Sequence, residues 1–384
     1  MGYSFSLDDV AYLRADAGCA ALSALADLPL TPASRLTDVQ RARRVAPDHF
    51  AAVLETLLLR RKAPSKVDFA DGLYTGDALQ QATPRAVAEH RARRFAGRVA
   101  HDVTCSVGAD LAALPPGSIG SDLDPVRLAM ARHNLGDAVP LLRADALRPV
   151  SRDVPVVADP ARRDATGRRT WRPADFAPPL DELALAYAGR DLAVKCAPGA
   201  DFAVAPWADE VELVSLDGQV REACLWTRGL ATPGVSRRAS VLTSGGPGWT
   251  ITDAEPDDCP VTPPGEWLVD PDGAVVRAGL VRHYAARHGL AQLDERIAYL
   301  TGPIPPPGVR AFRVVEHGHY GEKSLRAVLR AHDVGRLEIL VRGLDVDPDS
   351  LRRRLKPAGS AEATVVLTRI GRTPTYLLAR AERT

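Results

Sequence analysis

Aromatic residues make up only 5% of this 384-residue chain, so its interior has to be filled by Ala, Val and Leu rather than by packed rings. Cysteine is sparse too. Five thiols (Cys19, Cys105, Cys196, Cys224 and Cys259) stand far apart, odd in number and without a Cys-x-x-Cys pair. No His/Cys grouping has zinc spacing, so no metal is expected, and scattered thiols suit a reducing compartment. No apolar run approaches the roughly 20 residues that cross a bilayer. Residues 1–9 have neither a basic start nor an apolar stretch, which predicts no secretory signal and a cytoplasmic location. Charge of one sign is lacking as well: 49 Lys/Arg against 48 Asp/Glu leave +1, which by itself points to no polyanionic partner. The balance is uneven along the chain. Residues 310–384 hold 15 basic against 9 acidic side chains, a net of +6, and the preceding 309 hold 34 against 39, a net of −5. A mildly acidic body with a basic tail is an asymmetry that accompanies interaction with polyanions.

What is present is a globular composition, 46% hydrophobic and 25% charged, in a chain long enough for two or three folding units. The first ~75 residues pattern as helices, with Leu13, Ala17, Ala20, Ala21, Ala24 and Leu28 on one face and Phe50, Val53, Leu54, Leu57 and Leu58 on another. Short apolar runs then alternate with helical patterns, the signature of a parallel sheet with crossover helices. Strands are predicted over 98–102, 118–122, 139–142, 154–158 and 191–195. Thr83-Pro84 and Asp124-Pro125 each read as a capping residue followed by Pro at the first helical position. Asp217-Gly218 between the runs 211–216 and 220–226 is a hairpin signal. Residues 232–265, rich in Gly, Pro, Ser and Asp, read as a linker. A helix is predicted over 274–289, followed beyond 310 by a strand, helix, strand, helix, strand, strand pattern.

The chemistry concentrates at strand ends. Asp102-Val103-Thr104-Cys105-Ser106-Val107-Gly108-Ala109-Asp110 follows the first strand and opens onto a short helix, where small residues let a ligand approach backbone N–H groups. Asp122, twenty positions after Asp102, ends the second strand and can accept both hydroxyls of a ribose. Asp145 follows the third strand and could accept from an adenine amino group. The pyrophosphate fingerprint GxGxxG is absent, which favours a cofactor with a ribose and no phosphate. The fourth strand ends in Asp159-Pro160-Ala161-Arg162, at the crevice where an open α/β sheet presents reactive groups. Lys195, at the end of the fifth strand, could touch substrate, although a strand-end lysine more often reaches solvent. Cys105 reads better as a small core filler than as a nucleophile, since no His partner is evident.

The segments 81–90, 102–110, 121–134 and Asp159-Pro160 occur in the order and spacing of class I S-adenosylmethionine-dependent methyltransferases. Within that class they resemble the trimethylguanosine-synthase-like RNA guanine-N2 methyltransferases, and the basic C-terminal unit resembles a THUMP-like domain. The resemblance implies an α/β fold. It would comprise a Rossmann-like seven-stranded methyltransferase sheet, a helical N-terminal unit and a smaller α+β C-terminal domain. The implied divisions are residues 1–80 (helical), 81–231 (catalytic), 232–265 (linker) and 266–384 (THUMP-like). S-adenosyl-L-methionine would be the cofactor, with Asp102, Cys105 and Gly108 at its methionine end, Asp122 at the ribose and Asp145 at the adenine. Asp159 and the Pro160 carbonyl would face an exocyclic amine of a base in RNA, with Arg162 and Lys195 touching substrate. Two departures stand out. Ser106 and Ala109 occupy places where the family carries a further glycine, and Ala161 and Arg162 replace the family's Pro and stacking aromatic, with Trp171 nearby in sequence. The altered site motivates one alternative, a non-catalytic RNA-binding module that retains the fold.

Overall fold

The computed structural model describes residues 3–69, 71–161 and 175–383; Arg162 and Trp171 lie outside them. The chain divides into two compact units, Met1–Val211 with Glu222–Pro233, and Glu212–Arg221 with Gly234–Thr384.

The first unit opens with α1 (Leu7–Arg14), α2 (Asp16–Ala24), α3 (Arg35–Val45) and α4 (Phe50–Lys62). A capping box starts α1: Ser6 Oγ accepts from the Asp9 N–H and the Asp9 carboxylate accepts from the Ser6 N–H. The apolar face that reads as one continuous helix is interrupted at Ala15, whose extended backbone (ψ 161°) ends α1 and starts α2. Val10, Leu13, Leu22, Leu25, Val53 and Leu57 pack into one cluster that also takes in Val107 and Met130, so this helical layer shares its core with the loop after β1.

Two short helices, α5 (Gly76–Gln81) and α6 (Arg85–Ala92), lead into the sheet. Its strands are β1 (His101–Asp102), β2 (Ile119–Asp122), β3 (Leu141–Arg143), β4 (Val156–Ala158), β5 (Leu192–Cys196), β6 (Glu210–Leu216) and β7 (Gln219–Trp226). Helix α7 (Pro125–Leu135) follows β2 and α8 (Leu180–Ala186) precedes β5. These seven belong to a nine-stranded sheet, in which they lie in the order β3-β2-β1-β4-β5-β7-β6. β1 to β5 run parallel and β7 is antiparallel to β5. β4 and β5 are buried along their whole length, as a sheet covered on both faces requires, and apart from Lys195 and Cys196 at the end of β5 they consist of Val, Ala and Leu. Because β1 pairs with β2 on one side and β4 on the other, the chain reverses its winding there and opens a crevice at the strands' carboxyl ends. The hairpin turn is as its sequence predicts: Asp217 and Gly218 take φ of +53° and +75°, the two positive values of a type I′ turn.

In the second unit, β8 (Arg237–Thr243) and β9 (Gly246–Thr252) form an antiparallel hairpin. Residues 232–265 are therefore not a linker throughout. The alternation of Ala239, Val241 and Ile251 is diluted by Ser, Thr and Gly, and this weakens the strand signal. Then follow β10 (Trp267–Asp270), α9 (Gly273–Ala278), α10 (Val281–His288), β11 (Ala291–Asp294), β12 (Ile297–Gly302) and β13 (Arg310–His319). The unit ends with α11 (Glu322–Ala331), β14 (Val334–Arg342), α12 (Pro348–Leu355), β15 (Ala361–Ile370) and β16 (Thr373–Arg383). The single helix expected over 274–289 is split at Gly279, a left-handed cap with φ +76°. The sheet order is β11-β12-β10-β13-β16-β15-β14, and Leu325, Leu329, Leu351 and Leu355 from α11 and α12 cover one face.

Candidate active site

At the carboxyl ends of β1, β2, β3 and β4 lies a cleft of about 570 Å³, lined by Cys105, Asp122, Asp145 and Asp159 among others. Three of the strand-end acids identified in the sequence thus meet at one cavity. Asp122 is fixed by two backbone donors: Ser106 N–H gives to Oδ2 (2.9 Å) and Asp124 N–H to Oδ1 (2.9 Å). Asp145 Oδ1 accepts from Leu147 N–H (2.9 Å). The backbone N–H of Asp159 donates to Thr104 Oγ1 (2.7 Å), which joins the end of β4 to the loop after β1. That loop needs glycine at 108 twice over, since φ is +89° and a Cβ there would sit 2.6 Å from Leu135 Cδ1. Ser106, where the family has glycine, still adopts a left-handed φ of +49°, so the turn persists without the residue that usually makes it. Leu123, beside Asp122, is 60% exposed and lines the cleft, an apolar surface that strand-end reasoning about acids did not find.

The other expected residues sit elsewhere. Asp102 is buried behind the loop, does not line the cleft and accepts from Thr104 N–H (3.1 Å). Burial, reinforced by Asp110, pushes its carboxyl up to about 8, so it is mostly neutral at pH 7. Gly108 and Pro160 are buried and also outside the lining. Cys105 faces the cleft, and burial drives its thiol well above the ordinary range, as suits a packed side chain rather than a nucleophile. Lys195 corrects both sequence readings. It neither lines the cleft nor reaches solvent, being 5% exposed.

Instead Lys195 uses all three ammonium hydrogens inside the protein, on Asp159 Oδ2 (2.6 Å), Asp110 Oδ2 (2.8 Å) and Thr83 Oγ1 (2.6 Å). Thr83 Oγ1 donates in turn to Asp110 Oδ2 (3.2 Å). Thr83 is not the N-cap its Thr-Pro signature predicts: Pro84 takes that position and α6 starts at Arg85 without a side-chain cap, while the Thr83 hydroxyl belongs to this cluster. Asp110 Oδ1 takes Arg91 Nη1 (2.8 Å), and Arg91 forks onto both oxygens of Glu222 (2.8 and 2.9 Å). Burial works against the Lys195 ammonium, but Asp110 and Asp159 outweigh it and raise its pKa. Burial likewise opposes ionisation of Asp110, but Arg91 and Lys195 hold it well below the usual carboxylate range. For Glu222 burial prevails and the pKa rises. Asp110, Arg91, Glu222 and Thr83 went unassigned in the sequence; only Asp110 and Thr83 fall inside a quoted motif.

The cleft suits a nucleoside. Each of Asp122 and Asp145 keeps acceptor capacity beyond its backbone donors. Leu123 offers an apolar face. A parallel sheet in this order, with acids closing a cleft at its carboxyl ends and an antiparallel β7, has the architecture of the class I methyltransferases. Two relatives in Mycobacterium tuberculosis, one from strain CDC 1551 / Oshkosh and one from H37Rv, are each described as an uncharacterized S-adenosylmethionine-dependent methyltransferase. Each is 56% identical over 335 residues, spanning 83% of this chain and 92% of the relative. A crystal structure from Porphyromonas gingivalis W83, described provisionally as a methyltransferase, shares the fold at TM-score 0.75 and 20% identity, covering 99% of this chain and all of that one. Residues 309–381 match the THUMP domain-like family, and residues 6–63 match a domain family of unknown function. The chain belongs to the S-adenosylmethionine-dependent methyltransferases, and S-adenosylmethionine is its cofactor. Among the described residues no group of three or more His, Cys, Asp or Glu could hold a metal, and no helix is long and apolar enough to cross a membrane.

Proposed function

We propose that this methyltransferase acts on an exocyclic amine of a base in RNA, in the cytoplasm. The observation that carries the reading is the state of Asp159. Its main chain is tied to Thr104 and its Oδ2 to Lys195, and Oδ1, at the cleft, has no partner among the described residues. A fixed carboxylate with one free oxygen is an acceptor for an N–H of the target. The family resemblance assigns the other N–H to the carbonyl of Pro160, a buried residue between the lining residues Asp159 and Ala161. An exocyclic amine delocalises its lone pair into the ring, and two acceptors holding its hydrogens turn that lone pair out of the plane, toward the methyl donor. S-adenosylmethionine, when bound, supplies a methyl group activated by the sulfonium charge. Asp122 and Asp145 would hold the ribose and the adenine, and the backbone of Cys105–Gly108 the methionine end, with Asp102 bracing that loop through Thr104. Alignment is then most of the protein's task, since the amine proton can leave after transfer without a strong base.

For RNA the support is the THUMP domain-like match over residues 309–381 and the net +6 of residues 310–384. Incubation with tritiated S-adenosylmethionine and total cellular RNA is expected to label the RNA, and Asp159→Ala is expected to cut the rate at least about 10²-fold. Absence of label in RNA, or full activity of Asp159→Ala, overturns the reading.

A further inference from the structure

We infer that Lys195 is a positioning residue for methyl transfer, setting the orientation in which Asp159 offers its second carboxylate oxygen to the substrate amine. The inference rests on the amine-methyltransferase reading above and deepens it. A lysine ammonium has three donors, and here each has a protein partner, two of them carboxylates, one at the end of β4 and one on the loop after β1. Lys195 stands on β5 directly beyond the pairing of Ala158 with Val194, so the sheet register itself brings its side chain to the end of β4. With one oxygen engaged at 2.6 Å, the plane of the Asp159 carboxylate is held and its other oxygen is left for a ligand. The clamp is itself anchored. Asp110, on the loop after β1, takes Lys195 with one oxygen and Arg91 with the other, and Arg91 is fixed by Glu222 of β7. Side chains from α6, the β1 loop, β5 and β7 therefore converge on a group that touches no substrate. A lysine kept only for solubility or for a surface ion pair would not be enclosed in this way, since burying a charge is costly unless every partner is in place.

The test is a double-mutant cycle on the full chain, using tritiated S-adenosylmethionine and total cellular RNA for initial rates at saturating RNA and calorimetry for cofactor affinity. Lys195→Met is expected to lower the saturated rate about 10²-fold, the scale of a misplaced reacting group, with cofactor affinity changed by less than threefold. Asp159→Asn is expected to lower it by a similar factor, and the double variant no further than the worse single, because the two residues act as one unit. Lys195→Arg, which keeps a donor cation, is expected to recover part of the rate. Lys195→Met leaves Asp110 without one of its cations, so Lys195→Met with Asp110→Asn restores the local charge sum. This variant carries the test if the single does not fold. Multiplicative losses in the cycle, or an unchanged saturated rate in Lys195→Met or in Lys195→Met with Asp110→Asn, overturn the inference. Full activity of Asp159→Ala, which removes the acceptor, instead overturns the underlying reading of Asp159 as the amine acceptor.

Discussion

Asp102 is a carboxyl group enclosed where an ionised form finds little support. Its oxygen accepts a single backbone N–H, and burial, with Asp110 close by, pushes it up to about 8. The sign of the consequence follows from counting protons. Between about pH 4 and pH 8 the folded protein holds a proton that the unfolded chain has released, so stability from this group is complete below pH 4 and is lost as pH rises toward 8. Asp102→Asn keeps the acceptor and the shape but cannot titrate. The variant is expected to gain on the wild type by on the order of 2 kcal/mol between pH 5 and pH 7.5, within the limit of about 1.4 kcal/mol per pH unit. Urea unfolding midpoints across that range check it, and a difference independent of pH would mean that Asp102 titrates in its ordinary range. Asp102 also shows how far single residues were legible. Its place at the end of β1 could be read from the run it closes, as could those of Asp122, Asp145 and Asp159 at their strands. That Asp102 turns inward could not be read. Nor could the cluster around Lys195, whose partners Thr83 and Asp110 lie 112 and 85 residues away in the chain.

At the scale of elements, the two pairs of a capping residue and Pro come out differently. Asp124 caps α7, its Oδ1 accepting from Val126 N–H (2.8 Å) and Arg127 N–H (3.2 Å), whereas Thr83, with the same local signature, does not cap α6. The register differs by one residue: Pro125 is the first residue of α7, whereas Pro84 is itself the N-cap of α6 and the Thr83 hydroxyl, one position further out, bonds Lys195 and Asp110. Hairpin β6–β7 was legible because Asp-Gly fixes its own turn. The β8–β9 hairpin was missed because its turn and strands share the composition of a loop. Asp124 also ties α7 to the cofactor cleft, through its N–H on Asp122 Oδ1. Asp124→Ala is expected to destabilise the protein by about 1 kcal/mol, the usual loss for an N-cap. Cofactor affinity measured by calorimetry should weaken no more than about tenfold, since that backbone N–H survives the substitution. A larger loss of affinity with no change in melting temperature would mean that the side chain itself touches the cofactor.

Over the whole molecule, a net charge near zero conceals a C-terminal excess of cations, but that excess is not all available. Arg336 pairs with Glu362, Arg342 with Asp270, Arg352 with Asp349 and Arg354 with Glu322, so these arginines add little net field. Lys323 and Arg330 on α11 and Lys356 at the end of α12 are exposed and have no ion-pair partner among the described residues. Counting charges along the sequence could reveal the excess but not this division, because the pairing acids come from other strands and helices. If RNA phosphates lie against the unpaired cations, each contact releases counterions and steepens the fall of affinity with salt, by about 0.7 in log–log slope per phosphate on a single strand. The triple substitution Lys323→Glu, Arg330→Glu and Lys356→Glu is therefore expected to weaken binding of total cellular RNA and to flatten the salt slope by about 2. S-adenosylmethionine affinity should stay unchanged, because none of the three lines the cleft. Filter binding from 50 to 300 mM salt reads both quantities. An unaltered slope would move the RNA off this face and onto another part of the chain.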